Sequence, residues 1–283
     1  MKIFLINLDR AQDRRDYMRA ELSRLLPEAQ VQRAMAVDIK APDWTPPAEY
    51  RPGRWRSDRW ALGPSDIEIF RSHKDAWEKI AASGETGLVL EDDLLFSDQF
   101  GNRVQALLDA QVRGLIRLDA TGDAVLCAPA TLQIEGAALH PLKSLGASAA
   151  AYMLDAETAG ILARDARIER TLDDYLFDPT PQERGARGHG LEILQLEPVI
   201  ALQAQFGGFT SPERQVPEFL QVTKRVDVAR RRDRRYTGPL LYRARKELLR
   251  TRHRKAQAKR IEATLAQGGV YGQIATEPDL KWH

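Results

Sequence analysis

The chain has 283 residues, 43% hydrophobic and 29% charged, which suffices for one sizeable buried core or one domain with an appendage. Its single cysteine, Cys127, excludes an internal disulfide and a cysteine-rich zinc site, and the apolar setting Ala124-Val125-Leu126-Cys127-Ala128 suits a buried small hydrophobe. The net charge of +2 is unevenly placed: residues 224–260 carry 16 Lys and Arg against 3 Asp and Glu, leaving 26 against 37 elsewhere. An acidic body with a strongly basic stretch suggests an anionic partner for that stretch.

Residues 1–8 read as a buried strand, because Ile3, Phe4, Leu5, Ile6 and Leu8 form an almost continuous apolar run. Asn7, Asp9 and Arg10 cut that run too early for the apolar region of a signal peptide. No window approaches the ~20 apolar residues of a membrane span, so a cytoplasmic address is expected. From about residue 10 to 26, Met18, Leu22 and Leu25 recur at helical spacing up to Pro27. Residues 41–64 change character, and Pro42, Pro46, Pro47, Pro52 and Gly53 predict a loop-rich insert. Its tryptophans, Trp44, Trp55 and Trp60, either anchor the insert or stack on a base or sugar.

Ser65-Asp66-Ile67-Glu68 after Pro64 fits a capping box, and Ile67, Phe70, Trp77 and Ile80 predict the apolar stripe of a helix running to Gly84. Leu88-Val89-Leu90 then reads as a short buried strand that delivers Glu91-Asp92-Asp93 at its end. Further along, the pattern predicts a helix around residues 102–110 and strands near 115–118, 124–127 and 149–154. A helix from an Asp155 N-cap to about 166 and strands at 191–196 and 199–202 follow. The alternation predicts an α/β fold with a mixed sheet over residues 1–215 and a basic, partly helical extension over 216–283.

Three consecutive carboxylates at a strand end are the strongest chemical signal. Glu91, Asp92 and Asp93 repel one another and are costly to gather without a cation. Hard cations such as Mg²⁺ and Mn²⁺ choose oxygen ligands and bridge carboxylates to phosphates. Alternation places Glu91 and Asp93 on one side of the chain and Asp92 on the other. In open α/β sheets ligands collect beyond the carboxyl ends of strands, where this cluster lies. An exposed acidic turn is the alternative that the cluster alone leaves open.

Several further motifs surround it: Asn7 with Leu8-Asp9-Arg10 and then Arg14 and Arg15; Ser72-His73 followed by Ala76-Trp77; Leu88-Val89-Leu90-Glu91-Asp92-Asp93 with Phe96 and Phe100 behind. Ala151-Tyr152-Met153-Leu154, Leu172-Asp173-Asp174, and Pro198 with Gln203 come later. In order and spacing these resemble glycosyltransferase family 25 over roughly residues 1–205. The resemblance implies a GT-A-like nucleotide-sugar-binding domain with a mixed, mainly parallel sheet. It also implies a metal-assisted, inverting transfer of a hexose, galactose or glucose, from a UDP-sugar to a lipopolysaccharide-type or other surface glycan. One departure bears on donor geometry: Ser65-Asp66-Ile67-Glu68-Ile69-Phe70 stands where the family carries a Gly-Glu-Ile-Gly-Cys run.

On that resemblance Asp93, helped by Glu91, would hold the cation, Mn²⁺ or Mg²⁺, while Asn7 and Arg10 meet the nucleotide. Arg14 or Arg15 would supplement the phosphate contacts or stay solvated. Ser72 and His73 would contact the donor diphosphate, or His73 would brace its helix against the metal strand, and Asp92 would reach the ribose or sugar hydroxyls. Asp173 or Asp174 would be the general base, with Asp119 a further candidate. His140, His189, His253 and His283 lack metal-ligand spacing, and Gly185, Gly188 and Gly190 mark a loop rather than a dinucleotide fingerprint.

In the basic stretch, Arg230, Arg231, Arg232, Arg234 and Arg235 precede Arg243, Arg245, Lys246, Arg250, Arg252, Arg254 and Lys255. Leu240, Leu241, Leu248 and Leu249 are interleaved, which makes part of it an amphipathic helix suited to an anionic membrane surface at the cytoplasmic face. A solvated helix packed on the acidic body is the alternative. Nucleic acid fits less well, because only Tyr236 and Tyr242 are interleaved aromatics. The runner-up to an enzyme is a catalytically weak sugar-nucleotide or glycan-binding module tethered by this tail.

Overall fold

The computed structural model describes residues 1–36, 39, 44–55, 59–220 and 237–283. Arg230–Arg232, Arg234, Arg235 and Tyr236 of the basic stretch lie outside the described residues, as do Pro42 and several other positions of the 41–64 insert.

Strand β1 (Lys2–Leu8) is buried, with Ile3 and Leu5 on one face and Phe4 and Ile6 on the other. A strand apolar on both faces must be covered on both. Helix α1 (Gln12–Leu25) brings Met18 and Leu22 to the Ile3 face, joined by Val104 and Leu107 of α3 (Phe100–Asp109). Helix α2 (Pro64–Ser83) covers the Phe4 face with Ile67, Phe70, Trp77 and Ile80. Parallel neighbours β2 (Gln30–Ala36) and β3 (Gly87–Glu91) flank β1.

The central sheet also contains β5 (Leu115–Arg117), β7 (Leu132–Ile134), β8 (Ala137–Pro141), β9 (Ala151–Leu154) and β10 (Ile193–Glu197), in the order β2-β1-β3-β9-β5-β10-β8-β7. Strand β9 runs antiparallel between β3 and β5, and β8 runs antiparallel to β10 and β7. The other six strands share one direction, so the sheet is mixed and mainly parallel. Beyond β3 the chain turns through Asp92-Asp93 into β4 (Leu94–Phe96), which pairs antiparallel with β11 (Ala201–Gln203) and sets Gln203 opposite Leu94.

Helix α4 (Ala156–Asp165) starts where the sequence predicts, with Asp155 accepting from the amides of Glu157 and Thr158 at 2.9 and 3.0 Å. Helix α2 corrects the expected cap. It begins at Pro64, and the carboxylate of Asp66, not Glu68, accepts from the Gly63 amide at 3.0 Å. The reason is Pro64, which has no N–H to satisfy and a φ already helical, so it takes the first helical position. Glu68 is freed to turn inward, where it accepts from Trp44 Nε1 at 2.9 Å and anchors the insert. At the other end Gly84 adopts φ +70°, which a side chain resists.

The C-terminal segment is woven into the body. Helix α6 (Leu240–Ala266) buries Tyr242 and Thr264, and Glu183 accepts from Arg260 and meets His253 at 3.0 Å. Strand β13 (Val270–Gly272) then pairs with β6 (Val125–Cys127), and β14 (Leu280–Trp282) with β12 (Gly207–Phe209). The boundary drawn at residue 215 therefore marks no gap in packing. Cys127 is fully buried, and burial pushes its thiol up to about 12. Among the described residues no helix is long and apolar enough to cross a membrane.

Candidate active site

Leu88, Val89 and Leu90 hold β3 in the core, so the chain can leave it only at its carboxyl end, and there the three acids emerge. They separate by side as alternation predicts. Asp92 turns toward β1 and α1, accepting from Asn7 Nδ2 at 2.7 Å and from Arg14 Nη1 at 3.2 Å. Glu91 and Asp93 turn the other way and share one donor, Gln203 Nε2, at 3.1 Å from Glu91 Oε2 and 3.2 and 3.3 Å from the Asp93 oxygens. A single amide does not neutralise two carboxylates. Burial and the neighbouring Glu91 accordingly push the Asp93 carboxyl up to about 7, against the lowering effect of Gln203.

A chain of polar groups, buried at Asp119 and Gln203, supports this pair. Ser148 Oγ lies 2.5 Å from Asp119 Oδ2 and 3.1 Å from Gln203 Oε1, which fixes the amide with its nitrogen toward the acids. Ser148 is held at φ +77°, an uncommon conformation for a residue with a side chain. Asp119 is fully buried beside Arg117 Nε at 3.5 Å, and burial raises its carboxyl to about 6.

On the α2 side, Trp77 Nε1 donates to the Tyr152 hydroxyl at 2.7 Å, and that hydroxyl lies 2.8 Å from His73 Nδ1. Since the tyrosine oxygen receives the indole N–H, its own proton goes to Nδ1. The neutral histidine then carries its proton on Nε2, which lies 3.6 Å from Glu91 Oε1. Burial keeps His73 neutral by lowering its pKa to about 3. His73 is thus held by Tyr152 and fully buried, while buried Ser72 donates to the Glu68 carbonyl at 2.8 Å. Direct diphosphate contact by Ser72 and His73 does not fit this burial, since the side chains of both are covered.

Above the pair opens a cavity of about 920 Å³, floored by Glu91, Ser148 and Gln203. One wall is the start of α5 (Leu172–Phe177), which presents half-buried Asp173. Arg59 and Trp60 of the insert form another, and Arg243 and Lys246 of α6 complete the rim. Asp173 faces this space. Asp174 is buried and occupied, 3.6 Å from Arg59 and 3.7 Å from Arg184, and Asp119 lies beneath Ser148. Arg10 is exposed past the end of β1, and Arg14 also donates to the Phe219 carbonyl at 3.1 Å. Trp60 stacks obliquely on Tyr242, 5.0 Å between centroids, so the insert and α6 meet at the cavity. Sequence patterns gave no role to Ser148 or Arg59, placed Arg243 and Lys246 only in the basic stretch, and marked Gln203 only as part of a closing strand.

Among the described residues no three His, Cys, Asp or Glu side chains converge into a cation cage. Two carboxylates on one side of a strand end, brought together on one amide, nonetheless fit a hard divalent cation that takes its remaining ligands from phosphate and water.

A mainly parallel α/β sheet with an acidic pair beyond its strand ends, beside a cavity, is the layout of a Rossmann-like α/β fold. Residues 1–124 match the model of glycosyltransferase family 25 (LPS biosynthesis protein). The similarity to this family is confined to that region, less than half of the chain. Over 123 residues, 38% of this chain, it is 34% identical to procollagen galactosyltransferase 2 of Homo sapiens. The matched stretch spans 18% of that relative's length.

Proposed function

We propose that the chain transfers a hexose, galactose or glucose, from a UDP-sugar to a hydroxyl of a lipopolysaccharide-type or other surface glycan. The observation that carries this reading is the convergence of Glu91 and Asp93 on Gln203, with Glu91 and Gln203 lining a cavity of about 920 Å³. That volume is of the size that takes nucleotide-scale ligands. The family match over residues 1–124 supports sugar transfer, and the name of the human relative supports galactose.

Glu91 and Asp93 would hold a divalent cation, Mn²⁺ or Mg²⁺, which supplies neutralisation of the charge that builds on a diphosphate leaving group. Asn7 and Arg14 keep Asp92 out of the shared pair, and Arg10 lies at the end of β1 where a nucleotide would approach. Asp173 would be the general base, since it lines the cavity while Asp174 and Asp119 are themselves buried and engaged in ion pairs or hydrogen bonds. It takes the proton of the acceptor hydroxyl as that oxygen attacks the anomeric carbon opposite the departing diphosphate, which inverts the configuration.

Calorimetry of UDP binding with Mn²⁺ and with excess chelator tests the donor site. Binding should require the metal and weaken at least about tenfold in Asp93→Ala, the loss of one of two charged ligands. No binding in any condition overturns the UDP-dependent reading. Turnover of UDP-galactose separates an enzyme from a catalytically weak binding module: Asp173→Asn should leave UDP affinity intact and lower kcat by about 10²–10⁴-fold.

A further inference from the structure

We infer that helix α6 docks on an anionic lipid bilayer, inserting the leucine face of its first turns beside the cavity mouth. Leu240, Leu241 and Leu248 are 77%, 75% and 56% exposed, the three most exposed large hydrophobic side chains among the described residues. At 100° per residue, Leu240, Leu241, Ala244 and Leu248 fall within one arc of about 100°, a continuous apolar strip. The strip is held outward because the opposite side of the helix is pinned. Tyr242 and Thr264 are buried there, and His253 and Arg260 are tied to Glu183.

Charge selects the occupant. Helix α6 carries nine Lys and Arg against Glu247 and Glu262. Arg252, Lys255 and Lys259 are exposed and continue the leucine side of the helix toward its C-terminus. Leucines followed by cations on one side match an interfacial helix, whose apolar side chains enter the acyl boundary while Lys and Arg reach the phosphates. A nucleic-acid phosphate surface would use the cations and leave the leucines in water. Leu240 and Ala244 of the strip also border the cavity, so docking this face sets the cavity mouth at headgroup level, where a lipid-linked glycan presents its sugars. The docking surface does not depend on the donor or the metal.

Sedimentation of the full chain with phosphatidylcholine vesicles, plain or with roughly 30% phosphatidylglycerol, tests the proposal. Binding should favour the anionic vesicles by at least about tenfold and disappear when salt rises from ~0.05 to ~0.5 M. Leu241→Ser/Leu248→Ser, at positions outside the cavity lining, should weaken vesicle binding about tenfold, and Arg252→Glu/Lys255→Glu/Lys259→Glu should abolish it. Both variants should keep the wild-type melting temperature and UDP affinity. Equal binding to both vesicle types, or binding unchanged in either variant, overturns the proposal. So does a leucine variant that alters only self-association in analytical ultracentrifugation, which would make the strip a contact between copies of this chain. Loss of DNA binding in the charge variant, without any vesicle binding in the wild type, would equally reject the lipid surface.

Discussion

Asp93 holds its proton too well for an ordinary carboxylate, and that has a thermodynamic consequence. Its pKa rises from 3.8 to about 7 on folding, so between those values the folded chain binds the extra proton. Stability therefore falls as pH rises through that window and stays at the lower level above it. Asp93→Asn removes the effect. Thermal denaturation in chelator should show the variant more stable by about 1–3 kcal/mol at pH 8, with the gain gone below about pH 4. A difference constant across pH would contradict the assigned cause. Tyr152→Phe makes the opposite kind of change, stranding Trp77 Nε1 without its acceptor and His73 Nδ1 without its donor in a fully buried site. Denaturant unfolding should register a loss of about 2 kcal/mol or more. The acids were legible in the sequence because they are contiguous and follow an apolar run. Gln203 and Ser148 were not, because one reaches the site through the pairing of β11 with β4 and the other through a left-handed backbone.

At the scale of elements, α2 carries the packing between insert, sheet and α4, and its ends are specified locally. Gly84→Ala puts a side chain on φ +70° and should lower stability by about 1 kcal/mol, visible as a modest fall in melting temperature. An unchanged melting temperature would mean that the helix end relaxes freely. Strands β1, β3 and β9 announce themselves as unbroken apolar runs because each is buried on both faces. Strand β2 does not, since it lies at the sheet edge and reads Gln30-Val31-Gln32-Arg33. Strands β7 and β13 have three residues each, with two of each three exposed, too little pattern for a period of two to register. The cap of α2 was misplaced because Ser65 and Glu68 have the right spacing, while Pro64 decides the start.

For the whole molecule, the basic extension is the part that composition described least well. Its charge marks it as separate, yet residues 270–282 supply strands to β6 and β12, and Ile274 and Leu280 belong to the main core. Ending the chain after residue 239 should lower the melting temperature by about 10 °C or more, or abolish cooperative unfolding. A truncated chain that melts like the full one would show the extension to be a mere appendage. These pairings also bear on how the protein is made. Strand β6 leaves the ribosome long before β13, and β12 well before β14, so each must wait with one edge open while more than a domain's worth or a long helix is still being synthesised. These pairings are deferred until residues 270–282 have been synthesised, and until then those edges can find the wrong neighbour.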